Sequence, residues 1–357
     1  MKKHPITYCA ALIILIALAV LSAKHFPSPS STLDDSQTLP LLPLSWITQS
    51  QSEDTGGQTA RDVSELLNAN PWTESASLTT LPVFKNTLIY DQNQKLIDPD
   101  IDTISSLQQE IAARLNMNIN DFTLKNNAPS KAEQEGIIAD YEQQNKPIPQ
   151  NLFDPDYYIA SHPDLRFTIF DTMRAHISFT TPIPLPTELN LDFNSPYEDQ
   201  ITGAEYLKSE FSDLISMKNP CVNVHGGSYH FSPDPQQGYY ISFYDQSGSL
   251  TDQIVNYNLA TILFYCEQNQ LVQVQIENND LTQKLGDYPI ISADEARSLL
   301  GTTDPIVHTE LIYIGPKSKY FYPCYRFLTA EPDSHEGFTH FRYHFVVAID
   351  SSYIDLQ

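Results

Sequence analysis

The stretch that most limits how this chain folds is Gly286 to Leu300, GDYPIISADEARSLL, where an extended pair of isoleucines runs straight into a helix start. Ser292 followed three residues later by Glu295 has the form of a capping box: the serine oxygen accepts from a first-turn N–H, and the glutamate reaches back to the serine N–H. Asp294 and Glu295 also place negative charge at the positive end of the helix dipole. A helix is therefore expected from Ala293, with Ala296, Leu299 and Leu300 as its apolar face and Gly301 as its stop. About two turns are too few to hold themselves together, so a sheet has to lie beneath them. Pro289 lacks an N–H and keeps Tyr288 extended, which suits a strand leading into the helix.

The segments before this joint change character along the chain. Residues 1–24 carry Lys2 and Lys3 ahead of an uncharged, mostly apolar run from Ile6 to Ala23. They read as a membrane anchor that leaves the C-terminal body outside the cell on a single pass, or as a signal peptide whose cleavage yields a secreted protein. Residues 25–80, rich in Ser, Thr, Pro, Gln and Asp, read as a flexible linker, with Ala60 to Leu67 as a short helix or docking segment inside it.

Folded material is expected from Leu81. Residues 81–186 form a first α+β unit with a strand from Leu81 to Tyr90, a helix with Ile104, Leu107, Ile111 and Leu115 on one face, and strands at Asp164–Phe170 and Ala175–Thr180. Lys131 to Gln144 is a helix or a polar excursion. Residues 187–285 form a second unit, opened by the capping box Ser195-Pro196-Tyr197-Glu198. Four strands follow there: Val222–Phe231, Gly238–Tyr244, Ile254–Cys266 and Leu271–Glu277. Residues 286–357 form a third unit, in which the Ser292 helix precedes strands at Ile306–Ile314, Tyr320–Thr329 and Phe338–Ile349. Short turns between the strands favour antiparallel meanders, so the expected class is α+β, with helices packed on β-meanders in two or three repeated units.

The formal charge of -24 understates how acidic this body is, because three lysines sit in the targeting segment; beyond Phe26, 17 basic residues face 44 acidic ones. Nucleic-acid phosphates and anionic lipid head groups would be repelled, so neither is an expected partner.

The run Tyr-Pro-Ile-Ile-Ser-Ala-Asp-Glu-Ala-Arg-Ser-Leu-Leu, a strand near Leu311 to Ile314 and then Tyr322-Pro323-Cys324-Tyr325-Arg326-Phe327 resemble the C-terminal region of an uncharacterised family of exported, N-terminally anchored Gram-positive bacterial proteins. Ile254 to Asn258 and Leu81 to Asn86 fit the same family. More distantly, the helix start followed by a meander is similar to PepSY-like domains and to YycH and YycI regulators of a cell-wall-sensing histidine kinase. The resemblance implies an extracytoplasmic regulatory module with an envelope or membrane protein as partner. Its motifs build the fold, so it assigns no catalytic or binding residue.

No nucleotide-binding, serine-hydrolase, zincin or C-x-x-C motif is found in the sequence, and no cofactor is expected. His225 and His230 around Gly226-Gly227 read as a hairpin turn. His335, His340 and His344 read as a solvated strand face, with a weak metal patch as the other reading. Asp98, Asp100 and Asp102, and Asp154 with Asp156, read as turn chemistry because the glycine and terminal glutamate of a calcium loop are missing. The exported Cys221, Cys266 and Cys324 allow one disulfide, Cys221–Cys266 or Cys266–Cys324, or three separate buried thiols. The expected function is a non-enzymatic binding or regulatory protein of the envelope. The alternative is an envelope hydrolase using paired carboxylates, marked by a cleft with two facing acids, one of raised pKa.

Overall fold

The computed structural model describes residues 39–44, 57–60, 62–63, 69–90, 101–149, 152–189, 195, 197–229, 237–300, 302–315, 318–335 and 337–355. Residues 1–24, expected as a membrane anchor or signal peptide, lie outside them, as do Pro196, His230, Gly301, Asp98 and Asp100. Pro40–Gln357 forms one unit by its contacts, and all that follows concerns that unit.

Two short strands, Leu42–Pro43 (β1) and Gly57–Ala60 (β2), precede Thr80–Lys85 (β3), which buries Leu81 and Val83. Helix α1, Ile101–Arg114, turns Ile104, Leu107 and Ile111 inward at the spacing legible in the sequence. The strands Thr123–Asn126 (β4) and Tyr157–Ser161 (β5) flank helix α2, Lys131–Gln143. This helix is closed by a complete capping box of Ser130 and Glu133, yet it buries none of its residues. Leu165–Phe170 (β6) and Ala175–Pro184 (β7) complete a first meander.

The second run also opens with a helix, but its inner helix falls between its second and third strands. Helix α3, Tyr197–Glu210, and the single turn α4, Ser212–Ile215, bury Leu207, Leu214 and Ile215. Next come Pro220–Tyr229 (β8), Gln237–Asp245 (β9), helix α5 at Leu250–Leu259, Thr261–Glu267 (β10) and Gln270–Ile276 (β11). The two meanders join edge to edge where β7 pairs antiparallel with β11, giving one eight-stranded sheet in the order β4-β5-β6-β7-β11-β10-β9-β8. Strands from both sides of the expected 186/187 boundary thus share one sheet. They also share one core, in which Phe167, Ile177, Phe243, Phe264 and Val274 meet α1, α3 and α4.

The last run contains Lys284–Pro289 (β12), helix α6 at Ala293–Ser298, Ile306–Ile314 (β13), Tyr320–His335 (β14), Phe338–Val347 (β15) and Ile354–Asp355 (β16). A second, six-stranded sheet takes the order β12-β3-β14-β15-β2, with β13 on β14, while β1 and β16 form a separate parallel pair. Its core, with Trp72, Leu311, Tyr325 and Phe327, lies under α6 and α5. The class is α+β, with helices on antiparallel sheets.

Four expectations need correction. Ile254–Cys266 is not one strand: Ser249 and Asp252 form a capping box that opens α5, whose Ile254, Val255, Tyr257 and Leu259 are buried, and the strand begins only at Thr261. Gly226-Gly227 is not a hairpin turn but lies inside β8, where the register with β9 shifts between Val224 and Gly227; a bulge of this kind suits glycine. Helix α6 starts at Ala293 as expected, but it ends at Ser298, before Leu299 can turn toward the sheet; Leu299 is 65% exposed, and Ala296 alone of the expected face is fully buried. Finally, the described parts of the expected linker are built into the body. Residues 57–60 pair with β15, and Leu42, Ala60, Ala69 and Trp72 are buried. Apolar residues this sparse keep the average polarity of the segment high, yet each fills a site of its own.

Ser292 Oγ accepts from the Glu295 N–H at 3.2 Å. Ser292→Ala is expected to lower stability by about 1 kcal/mol, read as a shifted urea midpoint at unchanged slope.

Candidate functional site

The chemistry of the fold gathers where the end of the eight-stranded sheet meets the second sheet. Glu310 on β13 and Arg326 on β14 are direct cross-strand partners, and the strand pairing aims both side chains at α5 and β8. Arg326 Nε donates to Glu310 Oε2 at 2.6 Å, and its guanidinium lies 4.7 Å from the centre of the Tyr343 ring. Tyr257 from α5 donates to Glu310 Oε1 at 3.1 Å, and Asn223 from β8 donates to the Tyr257 hydroxyl at 3.3 Å. One polar chain therefore crosses from sheet to sheet with its charges paired.

Glu310 is only 3% exposed, and burial alone would raise its pKa; the Arg326 charge outweighs this and holds the carboxyl at about 2. The imidazole of His308, whose Nε2 is 3.7 Å from Glu310 Oε1, is too distant for a hydrogen bond, so Arg326 carries the effect. Burial, with the Glu310 charge beside it, pushes the Tyr257 phenol well above its ordinary value.

His308 also lines a cleft of about 730 Å³ that opens along the first half of β13. One wall is the segment from Asn70 to Glu74. Tyr244 donates its hydroxyl proton to the Ala69 carbonyl at 2.7 Å, and the Trp72 ring packs edge-on against Tyr325 at 5.6 Å. Asn70 Nδ2 donates to the Leu311 carbonyl at 3.3 Å, so a side-chain amide serves the outer edge of β13. The far wall is α6, whose Arg297 pairs with Asp294 and with Glu74 and lies over the Phe327 ring. The mouth carries Asp304 and Val307. Val307 is the extra residue at the β13 register shift between Ile306 and His308 and is 38% exposed. Among the described residues β13 pairs with β14 alone, which leaves its other edge to the cleft.

The residues singled out in the sequence lie elsewhere. Cys221, Cys266 and Cys324 are free thiols. Cys221 on β8 and Cys266 on β10 flank β9, so about 10 Å separates their strands, beyond the span of about 7 Å that a disulfide bridges. Burial pushes the Cys266 thiol up to about 12 and raises Cys324 as well, so both are held as unreactive thiols. Ser292 caps α6 at the far wall by accepting from the Glu295 N–H, and Glu295 lies in the first turn of that helix. Glu198 lies in the first turn of α3, and the buried Ser195 accepts through its carbonyl from Gln200 Nε2 at 3.1 Å. His344 pairs with Thr329 Oγ1 at 3.0 Å, and among the described residues no three of His, Cys, Asp and Glu converge as a metal site.

The carboxylates also bear on hydrolase chemistry. Burial raises Asp245, Asp280 and Glu310, yet hydrogen bonds to the first two and Arg326 beside the third more than reverse it; hydrogen bonds from Ser130 and Ser352 lower Glu133 and Asp350. A general acid needs a shift in the opposite direction.

Glu310, Arg326, His308 and Trp72 were not found by sequence reasoning. Glu310 and Arg326 had one signal, a charge of each sign set among apolar residues in neighbouring strands, IVHTELIYI and YFYPCYRFLT.

No family profile matches this chain, and no curated protein does. Among solved structures, an uncharacterized protein from Eubacterium rectale aligns with 10% identity and a TM-score of 0.36, over 75% of this chain and 82% of its own. The Bacillus megaterium YpeB C-terminal domain aligns with 11% identity and a TM-score of 0.29, over 71% of this chain and 99% of its own. At these scores neither similarity bears on what this chain does.

Proposed function

We propose that the chain is a non-enzymatic binding protein of the bacterial envelope. It is held at the membrane by its N-terminal segment and modulates a sensor or an envelope enzyme. The cleft beside β13 docks an extended segment of that membrane or envelope partner. The observation that carries this reading is the outer edge of β13: a strand edge bordered by a cleft accepts an added strand through main-chain hydrogen bonds, while side-chain pockets supply selectivity.

A photo-crosslinking residue at Val307 is expected to capture one membrane-fraction protein in the producing cell, and the same residue at the exposed Ile101 on α1 is expected to capture none. Equal capture at both positions, or none at Val307, overturns the reading.

A further inference from the structure

The docking reading leaves open what kind of segment the cleft takes. Resting on that reading, we infer that the partner segment is basic: an extended peptide that places an arginine or lysine beside Asp304.

Three observations converge. The first is geometric. The Asn70 amide already occupies the Leu311 carbonyl, as the N–H of an incoming strand would. Thr309, two residues earlier, faces the same side by strand alternation and lines the cleft, its hydroxyl accepting from Arg297 at 3.4 Å. A bound segment would therefore run from Thr309 toward Asp304.

The second is electrostatic. Among the described residues Arg297 is the one lysine or arginine lining the cleft, and its guanidinium is taken by Glu74 and Asp294. Among the described residues no ion pair engages Asp304, which is exposed at the mouth. With Glu74 and Asp304 against Arg297, the lining carries excess negative charge, and the acidic body beyond it adds to the same field. An acidic segment would be repelled and a cationic one drawn in.

The third is the lining. Trp72, Pro305, Ile306 and Val307 give an apolar path to the carboxylate. The aliphatic stem of lysine or arginine lies along such a path while its charged head reaches the acid at the end. A neutral or purely apolar segment would leave Asp304 covered and unpaired.

The test is selection of a random decapeptide display library on the full-length chain in mild detergent, followed by affinity measurement on wild type and three variants. Selected peptides are expected to carry arginine or lysine at one recurring position and to compete with one another. Asp304→Asn should weaken them about fivefold and Asp304→Lys more, with affinity falling as salt rises. Val307→Trp, which fills the cleft, should abolish binding. Both Asp304 variants change an exposed position, and an unchanged urea midpoint verifies that they fold. Peptides blocked by Val307→Trp but free of basic residues, or indifferent to Asp304→Lys, overturn the inference and leave the docking reading standing. If no selected peptide responds to Val307→Trp, the docking reading falls and the inference falls with it.

Discussion

Arg326→Met is expected to lower the unfolding free energy by about 3–5 kcal/mol, since removing one partner of a buried pair strands the other charge. Glu310 would keep only the Tyr257 hydroxyl as a close donor. The double variant Glu310→Leu/Arg326→Met removes both charges and is expected to regain most of the loss. Urea denaturation near neutral pH separates the cases: equal loss in single and double variants would mean that packing, not charge, holds this junction. The acid limb gives a second readout. The carboxyl of Glu310 is held at about 2 against a reference of 4.5, so the pair stabilises fully above the reference value and ceases to do so as the pH falls through that window. The shift corresponds to about 3 kcal/mol, and this part of the acid limb should vanish in Arg326→Met.

Trp72→Ala is expected to cost about 3–5 kcal/mol. Trp72 is buried against Tyr325 in the core under α6, and Ala69, three residues earlier, accepts the Tyr244 hydroxyl. In a loose tether the same change would stay within about 0.5 kcal/mol. The size of the loss therefore decides whether residues 69–80 belong to the body, and the cleft would widen with it.

How much of this was legible follows from the range of each signal. The start of α6 at Ala293 and the inward face of α1 are local, set by Ser292 and by the spacing of Ile104, Leu107 and Ile111, and both are found where the residues place them. Helix α5 carried an equally local cap, Ser249 with Asp252, but the apolar run behind it fitted a strand just as well until Ala260 broke it. The fusion of two meanders rests on β7 meeting β11, a pairing between segments about 90 residues apart that no local pattern encodes. The same holds for the site. Glu310 and Arg326 become a pair only through strand register, and Trp72 becomes a wall only because Ala69 and Asn70 tie its segment to two sheets.

The short parallel pair of β1 and β16 decides how the body answers to force. A pull entering at Leu39 first meets Leu42 and Pro43 beside Ile354 and Asp355, helped by the Tyr288 hydroxyl on the Pro40 carbonyl at 2.9 Å. Two residues of strand and one phenolic bond resist little, whereas β2 behind them is joined to β15 over four residue pairs. Tension would therefore part β1 from β16 first, while both large sheets hold.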